Sequence, residues 1–265
     1  MSVSGKVIAI TGGAQGIGAA TARALSSAGA KVAVGDLDAT LAAESARTYG
    51  GLGLKLDVSD AASFAAFLDQ VEEQLGGIDV LVNNAGIMVI GRMLETPLDA
   101  QLKQLDVNLR GVILGCHAVV PRMRPGGQII NIASLAGKIP TPGSAVYSAT
   151  KAGVLALSEA LDAELAPRVR VSAVLPAFTN TRLIDGTTTP RLTSAIAPEQ
   201  VADAVVGLIE KYKPIATVPP SLAVSSVQWG LMPQRLRRWM GNKTGMNTMF
   251  TEYDHAARAA YEKST

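Results

Sequence analysis

Residues 7–18 read VIAITGGAQGIG, and this stretch decides the fold. Its first four residues are a short apolar run typical of a buried strand, and the Ala-rich segment at 17–28 favours a helix. Between the two, Gly12, Gly16 and Gly18 are spaced Gly-x3-Gly-x-Gly. Glycines at such a turn let the backbone approach a pyrophosphate, which the helix N-terminus stabilises. Structural turns also use glycine, but a position between the first strand and the first helix favours nucleotide binding.

The rest of the chain continues the alternation of short apolar strands and longer helices. Strands are predicted at 31–35, 52–58, 78–82, 128–132, 170–175 and 215–218. Helices are predicted from an N-cap at Ser59-Asp60 through Leu75, and at 98–123, 147–165 and 199–210. Near-continuous apolar strands separated by helices indicate a parallel sheet covered on both faces. No linker interrupts the pattern, which predicts one doubly wound α/β domain over residues 1–218 and a C-terminal helical extension over residues 219–265.

Composition and charge exclude several classes of protein. The 265 residues are 48% hydrophobic and 17% charged, which is too apolar for a disordered chain. A net charge of +2 is too small to indicate a nucleic-acid partner. The single cysteine, Cys116, excludes an internal disulfide, and with only two histidines we expect no metal site. We expect a cytoplasmic protein, because the N-terminus lacks signal-peptide features and no apolar run approaches the ~18 residues of a spanning helix.

Acidic and small polar residues follow the next strands of the predicted sheet. Asp36 ends the second strand, where a carboxylate can hydrogen-bond the adenosine ribose and would repel a 2′-phosphate. No Arg or Lys lies in the glycine turn or beside Asp36, so we expect NAD(H) rather than NADP(H). The alternative for Asp36 is an ordinary solvated loop residue. Five further residues are expected along the same crevice: Asp57 and Val58 at the adenine, and Asn84, Ala85 and Gly86 after the fourth strand.

Tyr147 and Lys151 are spaced four residues apart, on one face of a predicted helix. A free tyrosine has a pKa of about 10, and a neighbouring cation is expected to lower the pKa and make the phenol fit for proton transfer. Ser134 follows the fifth strand, where open parallel sheets bind ligands, and its hydroxyl could polarise a carbonyl. Asn108 lies within a long helix, either as a carrier of a water molecule for Lys151 or as a polar residue that kinks the helix.

Taken together, these motifs resemble the classical short-chain dehydrogenase/reductase family over about the first 218 residues. The order and spacing of the family are met by Thr11-Gly12-x3-Gly16-Ile17-Gly18, Asn83-Asn84-Ala85-Gly86, Asn108, Ser134 and Tyr147-x3-Lys151. The resemblance implies a three-layer, Rossmann-type sheet of about seven strands and a catalytic tetrad of Asn108, Ser134, Tyr147 and Lys151. It also implies direct hydride transfer between the nicotinamide and the substrate, and a homodimer or homotetramer that pairs through long helices.

The resemblance also assigns residues to the cofactor. Lys151 and Tyr147 are expected at the nicotinamide ribose, with Pro176 and Thr181 as further contacts on the nicotinamide side. Ala177 stands where the family usually has glycine after the sixth strand. The complete set of cofactor-binding candidates is Gly12, Gln15, Gly16, Ile17, Gly18, Asp36, Asp57, Val58, Asn84, Ala85, Gly86, Tyr147, Lys151, Pro176 and Thr181.

Two segments outside the strand–helix alternation are expected to choose the substrate. The same resemblance implies that residues 178–197, which include Thr187, Thr188, Thr189 and Pro190, form a mobile lid over the substrate; a plain surface loop is the alternative. The tail after Pro219 is basic and places Trp229, Met232, Leu236, Trp239 and Met240 on one helical face. It could pack on the domain or on another subunit, cover an apolar substrate cleft, or lie on a membrane surface. Five apolar residues are expected on the substrate side: Met88, Val89, Ile90, Met93 and Leu94.

The leading functional hypothesis is a dehydrogenase/reductase that acts on a secondary alcohol or ketone, with an apolar or bulky substrate. Two alternatives stay open. A 3-oxoacyl thioester reductase would usually use NADPH, which Asp36 disfavours. A non-enzymatic NAD-binding sensor or scaffold would tend to lack the tyrosine or the lysine, and this chain has both Tyr147 and Lys151.

Overall fold

A single parallel sheet of seven strands forms the centre of the computed structural model, which describes residues 2–187 and 195–262. The strands are β1 (Val7–Thr11), β2 (Lys31–Asp36), β3 (Leu52–Lys55), β4 (Val80–Asn83), β5 (Gly127–Ile132), β6 (Val169–Pro176) and β7 (Ile215–Val218). Their order across the sheet is β3-β2-β1-β4-β5-β6-β7, and all paired strands run parallel. Strand order reverses between β1 and β4, and ligands of open α/β sheets bind at such a reversal.

Helices cover both faces of the sheet and make the three layers that the sequence predicts. They are α1 (Gly16–Ser27), α2 (Ala39–Arg47), α3 (Ala61–Leu75), α4 (Leu98–Leu105), α5 (Gly111–Val119), α6 (Ala145–Leu165), α7 (Pro198–Glu210), α8 (Leu222–Leu231), α9 (Gln234–Thr244) and α10 (His255–Glu262). One buried cluster joins the sheet to α1, α2 and α7, and a second joins its other face to α3, α5 and α6. The doubly wound, Rossmann-type fold is therefore confirmed.

Several predicted boundaries are corrected by the structure. Strand β3 ends at Lys55 rather than at Val58, which leaves Asp57 and Val58 in the loop that follows. The predicted 98–123 helix is divided into α4 and α5 by a π-helical turn at Asp106–Arg110, and it ends at Val119. Helix α2 was not predicted, although the carboxylate of Asp38 caps it by accepting a hydrogen bond from the backbone N–H of Leu41.

The C-terminal segment folds back onto the domain as three short helices. The predicted apolar face that runs from Trp229 to Met240 is wrong as a single helix, because α8 ends at Leu231 and Pro233 precedes α9. Helix α10 contacts residues 183–186, which belong to the predicted lid segment. Thr188, Thr189 and Pro190 of that segment lie outside the described residues. Of the helices in residues 2–187 and 195–262, none is long and apolar enough to cross a membrane.

Candidate active site

Two adjoining clefts open at the carboxyl ends of the strands. The larger cleft has a volume of about 650 Å³ and runs along the ends of β1, β2 and β4. The smaller cleft has a volume of about 330 Å³ and lies beyond β5 and β6. The walls of both clefts share five residues: Ile17, Asn84, Gly86, Thr181 and Leu183. A molecule in the larger cleft can therefore reach one in the smaller cleft without crossing protein.

Most of the predicted cofactor-binding residues line the larger cleft. These are Gly12, Gln15, Gly16, Ile17, Asp36, Asp57, Val58, Asn84, Ala85, Gly86 and Thr181. Pro176, Tyr147 and Lys151 line the smaller cleft instead, at the end expected for the nicotinamide. Gly18 lines neither cleft, but the turn needs a residue without a side chain at this position. The structure thus brings together residues that lie as far apart in the sequence as Gly12 and Thr181.

The glycine turn makes a cradle whose shape depends on missing side chains. A Cβ added to Gly18 would lie 2.2 Å from the carbonyl oxygen of Gly12 and 2.6 Å from Nδ2 of Asn84. Gly16 has a φ of +56°, a left-handed conformation that favours glycine. The side chain of Gln15 does not cap α1, so backbone N–H groups of the first turn face the cleft without a side-chain acceptor. This donor set fits the pyrophosphate of a dinucleotide.

Two carboxylates stand at the far end of the larger cleft. Asp36 closes β2, and its Oδ2 accepts a hydrogen bond of 3.1 Å from the backbone N–H of Ala14. Oδ1 of Asp57 accepts hydrogen bonds from the hydroxyl and the backbone N–H of Ser59, at 2.6 and 2.9 Å. The Ser59 hydroxyl is the main reason that the pKa of Asp57 lies below its usual value. Both carboxylates therefore present negative charge and acceptor oxygens to whatever occupies this end.

The smaller cleft brings Ser134, Tyr147 and Lys151 into one wall. Helix α6 carries Tyr147 and Lys151, and both side chains are buried. Lys151 donates a hydrogen bond of 2.8 Å from Nζ to the carbonyl oxygen of Ile132 at the end of β5, and its burial lowers its pKa to about 8. Ser134 lies just after β5, and its hydroxyl hydrogen-bonds to the phenol of Tyr147. The three polar groups face a wall that is otherwise mainly apolar.

The expectation that Lys151 lowers the pKa of Tyr147 is wrong for this structure. Burial raises the pKa of Tyr147 to about 12, and the hydrogen bond from Ser134 offsets this effect only in part. The ammonium nitrogen of Lys151 lies 5.8 Å from the centre of the Tyr147 ring. At that separation the cation does not outweigh the desolvation of the phenol. Tyr147 is therefore a protonated phenol near neutral pH and can donate its proton.

Asn108 lies behind the cleft wall and holds the loop that follows β4. It is fully buried in the π-helical turn; its Oδ1 accepts from the backbone N–H of Ile87, and its Nδ2 donates to the Ile87 carbonyl, both at 2.8 Å. A π-helical turn widens a helix and recurs at functional sites. The backbone at Gly86 is thereby kept close to Asn108 and Lys151. That Asn108 carries a water molecule for Lys151 stays a prediction.

The C-terminal tail supplies much of the wall of the smaller cleft. The residues that it contributes are Leu222, Ser225, Trp229, Thr244, Met246, Met249 and Phe250. Phe250 stacks on Phe178 of the lid segment, with ring centres 5.7 Å apart. Met88 lines the same cleft, as predicted, but Met93 and Leu94 are 58% and 97% exposed and do not line it. Of the explanations considered for the tail, the structure supports a cover over the cleft.

Two residues of α10 hold this cover to the rest of the domain, and neither was predicted from the sequence. Arg258 is fully buried and donates hydrogen bonds from Nη1 to the carbonyl oxygen of Leu183, at 2.7 Å, and from Nη2 to that of Met88. The hydroxyl of Tyr261 accepts a hydrogen bond of 3.0 Å from the backbone N–H of Met88, and Tyr261 lines the larger cleft. Helix α10 thus ties the lid segment to the loop after β4. An arginine among alanines in the sequence gives no sign of these contacts, because the carbonyl groups that accept its hydrogen bonds belong to residues far away in the chain.

The family follows from comparison with known proteins. A family model described as short chain dehydrogenase matches residues 6–191. The chain is a short-chain dehydrogenase/reductase. The Rossmann-type sheet and the resemblance seen in the motifs are both confirmed.

Characterised relatives cover a large part of this short-chain dehydrogenase/reductase. It is 41% identical over 187 residues to a 2,5-dichloro-2,5-cyclohexadiene-1,4-diol dehydrogenase of Sphingobium indicum, which covers 68% of this chain and 75% of the relative. It is 40% identical over 190 residues to a 3-alpha-(or 20-beta)-hydroxysteroid dehydrogenase of Mycobacterium tuberculosis, with 68% and 72% covered.

Longer proteins and solved structures are similar as well. A probable oxidoreductase of Mycobacterium tuberculosis, EphD, is 32% identical over 259 residues, which make up 87% of this chain but only 44% of EphD. The chain therefore spans less than half the length of that relative. Among solved structures, a short-chain dehydrogenase/reductase of Burkholderia phymatum in complex with NAD is 25% identical and superposes with a TM-score of 0.79, covering 93% of this chain and 97% of that one.

Proposed function

We propose that this short-chain dehydrogenase/reductase interconverts an apolar secondary alcohol and its ketone, with NAD(H) as the hydride carrier. The observation that carries the proposal is the meeting of the two clefts. Ser134, Tyr147 and Lys151 line the smaller cleft, beside the residues that it shares with the larger one. A carbonyl oxygen placed against Ser134 and Tyr147 would lie at this junction, where the two reactants must meet.

The residues of the larger cleft would hold the cofactor. The glycine turn would bind the pyrophosphate, Asp36 the adenosine ribose, and Thr181 the nicotinamide side. When bound, NAD(H) supplies or accepts the hydride. The carboxylate of Asp36 supports NAD(H), because a 2′-phosphate beside it would meet a like charge. The complex of the Burkholderia phymatum protein with NAD is consistent with this choice.

Proton transfer is the task of this chain's own side chains. In the direction of ketone reduction, Tyr147 donates its phenolic proton to the substrate oxygen, and the Ser134 hydroxyl donates a hydrogen bond to the same oxygen. The ammonium of Lys151 then stabilises the phenolate that forms, because it lies on the same wall. In the direction of alcohol oxidation the same groups act in reverse, with the phenolate of Tyr147 as the base. Asn108 positions the neighbouring loop through Ile87.

The substrate class is proposed from the wall of the smaller cleft. Apart from Ser134, Tyr147 and Lys151, its lining is mainly apolar and includes Trp229 and Phe250. Apolar walls favour substrates that bury hydrocarbon surface, and a few polar groups then orient the reacting oxygen. The names of the two relatives from Sphingobium indicum and Mycobacterium tuberculosis specify a cyclic diol and a hydroxysteroid. We therefore favour a cyclic, apolar alcohol.

The proposal is tested with a panel of alcohols and ketones, from short acyl chains to steroids, with NAD(H) and NADP(H) in parallel. Oxidation or reduction is followed by nicotinamide absorbance. Turnover of cyclic apolar compounds with NAD(H) supports the proposal. Preference for a 3-oxoacyl thioester with NADPH would favour the thioester reductase instead, and cofactor binding without turnover of any compound would favour a sensor.

We further propose that the enzyme is a homo-oligomer that pairs through α4. Leu98, Leu102 and Leu105 are 67%, 53% and 42% exposed and are spaced on one side of that helix, and Leu102 also lines the larger cleft. An apolar row of this kind is typical of a subunit interface. Light scattering of the intact chain and of a Leu98→Glu variant tests the pairing, which would be refuted by a monomeric intact chain.

A further inference from the structure

Helix α8 is apolar on two opposite faces. Leu222, Ser225 and Trp229 line the smaller cleft. On the other side Val224, Val227 and Leu231 are 67%, 56% and 82% exposed, and their spacing of three and four residues places them on one face. The apolar residues that line the smaller cleft are explained by their packing against the domain. The exposed apolar residues on the opposite face are not, because a helix usually presents polar side chains to water.

Helix α9 extends this exposed surface and adds positive charge. Leu236 and Trp239 are 44% and 58% exposed, while Thr244 on another side lines the smaller cleft. Arg235, Arg238 and Lys243 are also exposed, and within the described parts of the chain none of them forms an ion pair. Residues 219–251 contain no Asp or Glu. We call this surface the outer face; it consists of Val224, Val227, Leu231, Arg235, Leu236, Arg238, Trp239 and Lys243.

The chemistry of the outer face decides between possible occupants. Aliphatic side chains, a tryptophan and unpaired cations together are typical of helices that lie in the headgroup region of an anionic membrane. A second copy of the chain is disfavoured, because a two-fold contact through the same patch would bring arginines against arginines.

We propose that the outer face of α8 and α9 docks on an anionic lipid surface. This surface lies outside both clefts, so the proposal does not rest on the proposed reaction. The opposite sides of the same helices line the smaller cleft, and docking therefore places the cover of that cleft at the membrane. The helices lie on the lipid surface and do not cross it.

Co-sedimentation of the full chain with vesicles tests the docking. We expect binding to phosphatidylcholine vesicles that contain phosphatidylserine, little binding to pure phosphatidylcholine, and release at high salt. Replacing Arg235 and Arg238 together with Glu should weaken binding by about 30-fold or more, because each basic residue near an anionic surface contributes about fivefold. Leu231→Glu should also weaken it. Leu94→Glu is the matched control, since Leu94 is 97% exposed but lies outside the outer face.

Fluorescence of the two tryptophans locates the contact. In a Trp229→Phe variant the emission of Trp239 should shift to the blue when anionic vesicles are added, and lipids with brominated chains should quench it. In a Trp239→Phe variant the emission of Trp229, which faces the cleft, should change little. Circular dichroism and NADH binding confirm that each variant is folded.

Three results would overturn the proposal. The first is equal sedimentation of the intact chain with anionic and with zwitterionic vesicles. The second is emission from Trp239 that does not respond to anionic lipid. The third is a dimer in solution that Leu231→Glu dissociates while lipid binding is unchanged; this result would assign the outer face to a second copy of the chain.

Discussion

The two clefts are built in different ways. More than half of the residues that line the larger cleft lie at the ends of strands or in the segments that follow them, the glycine turn included. The smaller cleft takes many of its lining residues from the tail, which begins more than fifty residues beyond the end of α6. The walls of the larger cleft therefore depend more on local sequence, and those of the smaller cleft depend more on how distant segments pack.

The two clefts also differ in what maintains the shape of their walls. The end of the larger cleft is shaped by glycines whose Cβ atoms would clash with neighbouring backbone, as at Gly18. The cover of the smaller cleft is held by a few hydrogen bonds, chiefly those of Arg258 to Leu183 and Met88. Substitutions at the junction of the two clefts should therefore lower the rate of reaction most. Substitutions in the larger cleft should change cofactor affinity, and those in the cover of the smaller cleft should change which substrate is preferred.

The largest effect is expected at the junction of the two clefts. Tyr147→Phe removes the proton that the substrate oxygen receives and should lower kcat by about 10²–10⁴-fold. NADH binding, measured by its fluorescence, should be unchanged, because the ring remains in place. Tyr212→Phe is a control far from both clefts, where the phenol donates to Asp162 instead. If turnover of the Tyr147→Phe variant equals that of the intact enzyme, Tyr147 is not the proton donor.

A smaller and more selective effect is expected at Asp36 in the larger cleft. Asp36→Asn keeps the size of the side chain and removes its charge, so affinity for NADH should fall by about 10–100-fold, the equivalent of a charged hydrogen bond of about 1.5–3 kcal/mol. Affinity for NADPH should fall less or should rise. Titration of both cofactors measures the ratio, and an unchanged ratio would show that Asp36 does not discriminate between them.

The pH dependence of ketone reduction should show the effect of burial on Lys151. Its pKa is lowered to about 8, so the stabilising ammonium is present below that pH and is lost as pH rises through it. Tyr147, with its pKa raised to about 12, stays protonated throughout this range. Reduction should therefore be constant below pH 8 and should fall by about tenfold one unit above it. A rate that stays constant well above pH 8 would contradict a lowered Lys151 pKa.

The smallest effect is expected in the cover of the smaller cleft, where the tail offers a matched pair. Trp229→Ala removes apolar surface from the cleft wall and should raise KM for a bulky cyclic ketone on the order of fivefold, or about 1 kcal/mol. Trp239→Ala, on the outer face, should leave KM unchanged in the absence of lipid. Equal values for both variants would mean that the tail does not contact the substrate.

Much of the fold was predictable because it depends on local pattern. Strand β7 begins and ends as predicted, and Asp60 caps α3 with hydrogen bonds to the backbone N–H groups of Ala62 and Ser63. The apolar periodicity did not reveal the π-helical turn around Asn108, whose side chain hydrogen-bonds to the backbone of Ile87 twenty-one residues away. Nor did it reveal α2, which is mostly exposed and buries only Ala42 and Ala46.

The candidate site, like the fold, was predictable only in part. Spacing alone places Tyr147 and Lys151 on one helix face, and it places Ser134 and Asp36 at strand ends that a parallel sheet brings to one edge. The raised pKa of Tyr147 was not predictable in this way. The spacing indicates a nearby cation, but it does not reveal that the phenol is buried and loses its hydration.

Local sequence was enough to predict the glycine turn, the doubly wound sheet and the candidate reacting side chains, because each of these depends on neighbours within a few residues or on the order of strands. The residues that cover the smaller cleft became known only from the tertiary structure. Arg258 acts on Leu183 and Met88, and Trp229 faces the cleft while Trp239 faces outward. These outcomes depend on packing between segments far apart in the chain, where the free energy of burial, rather than any local pattern, selects the partner.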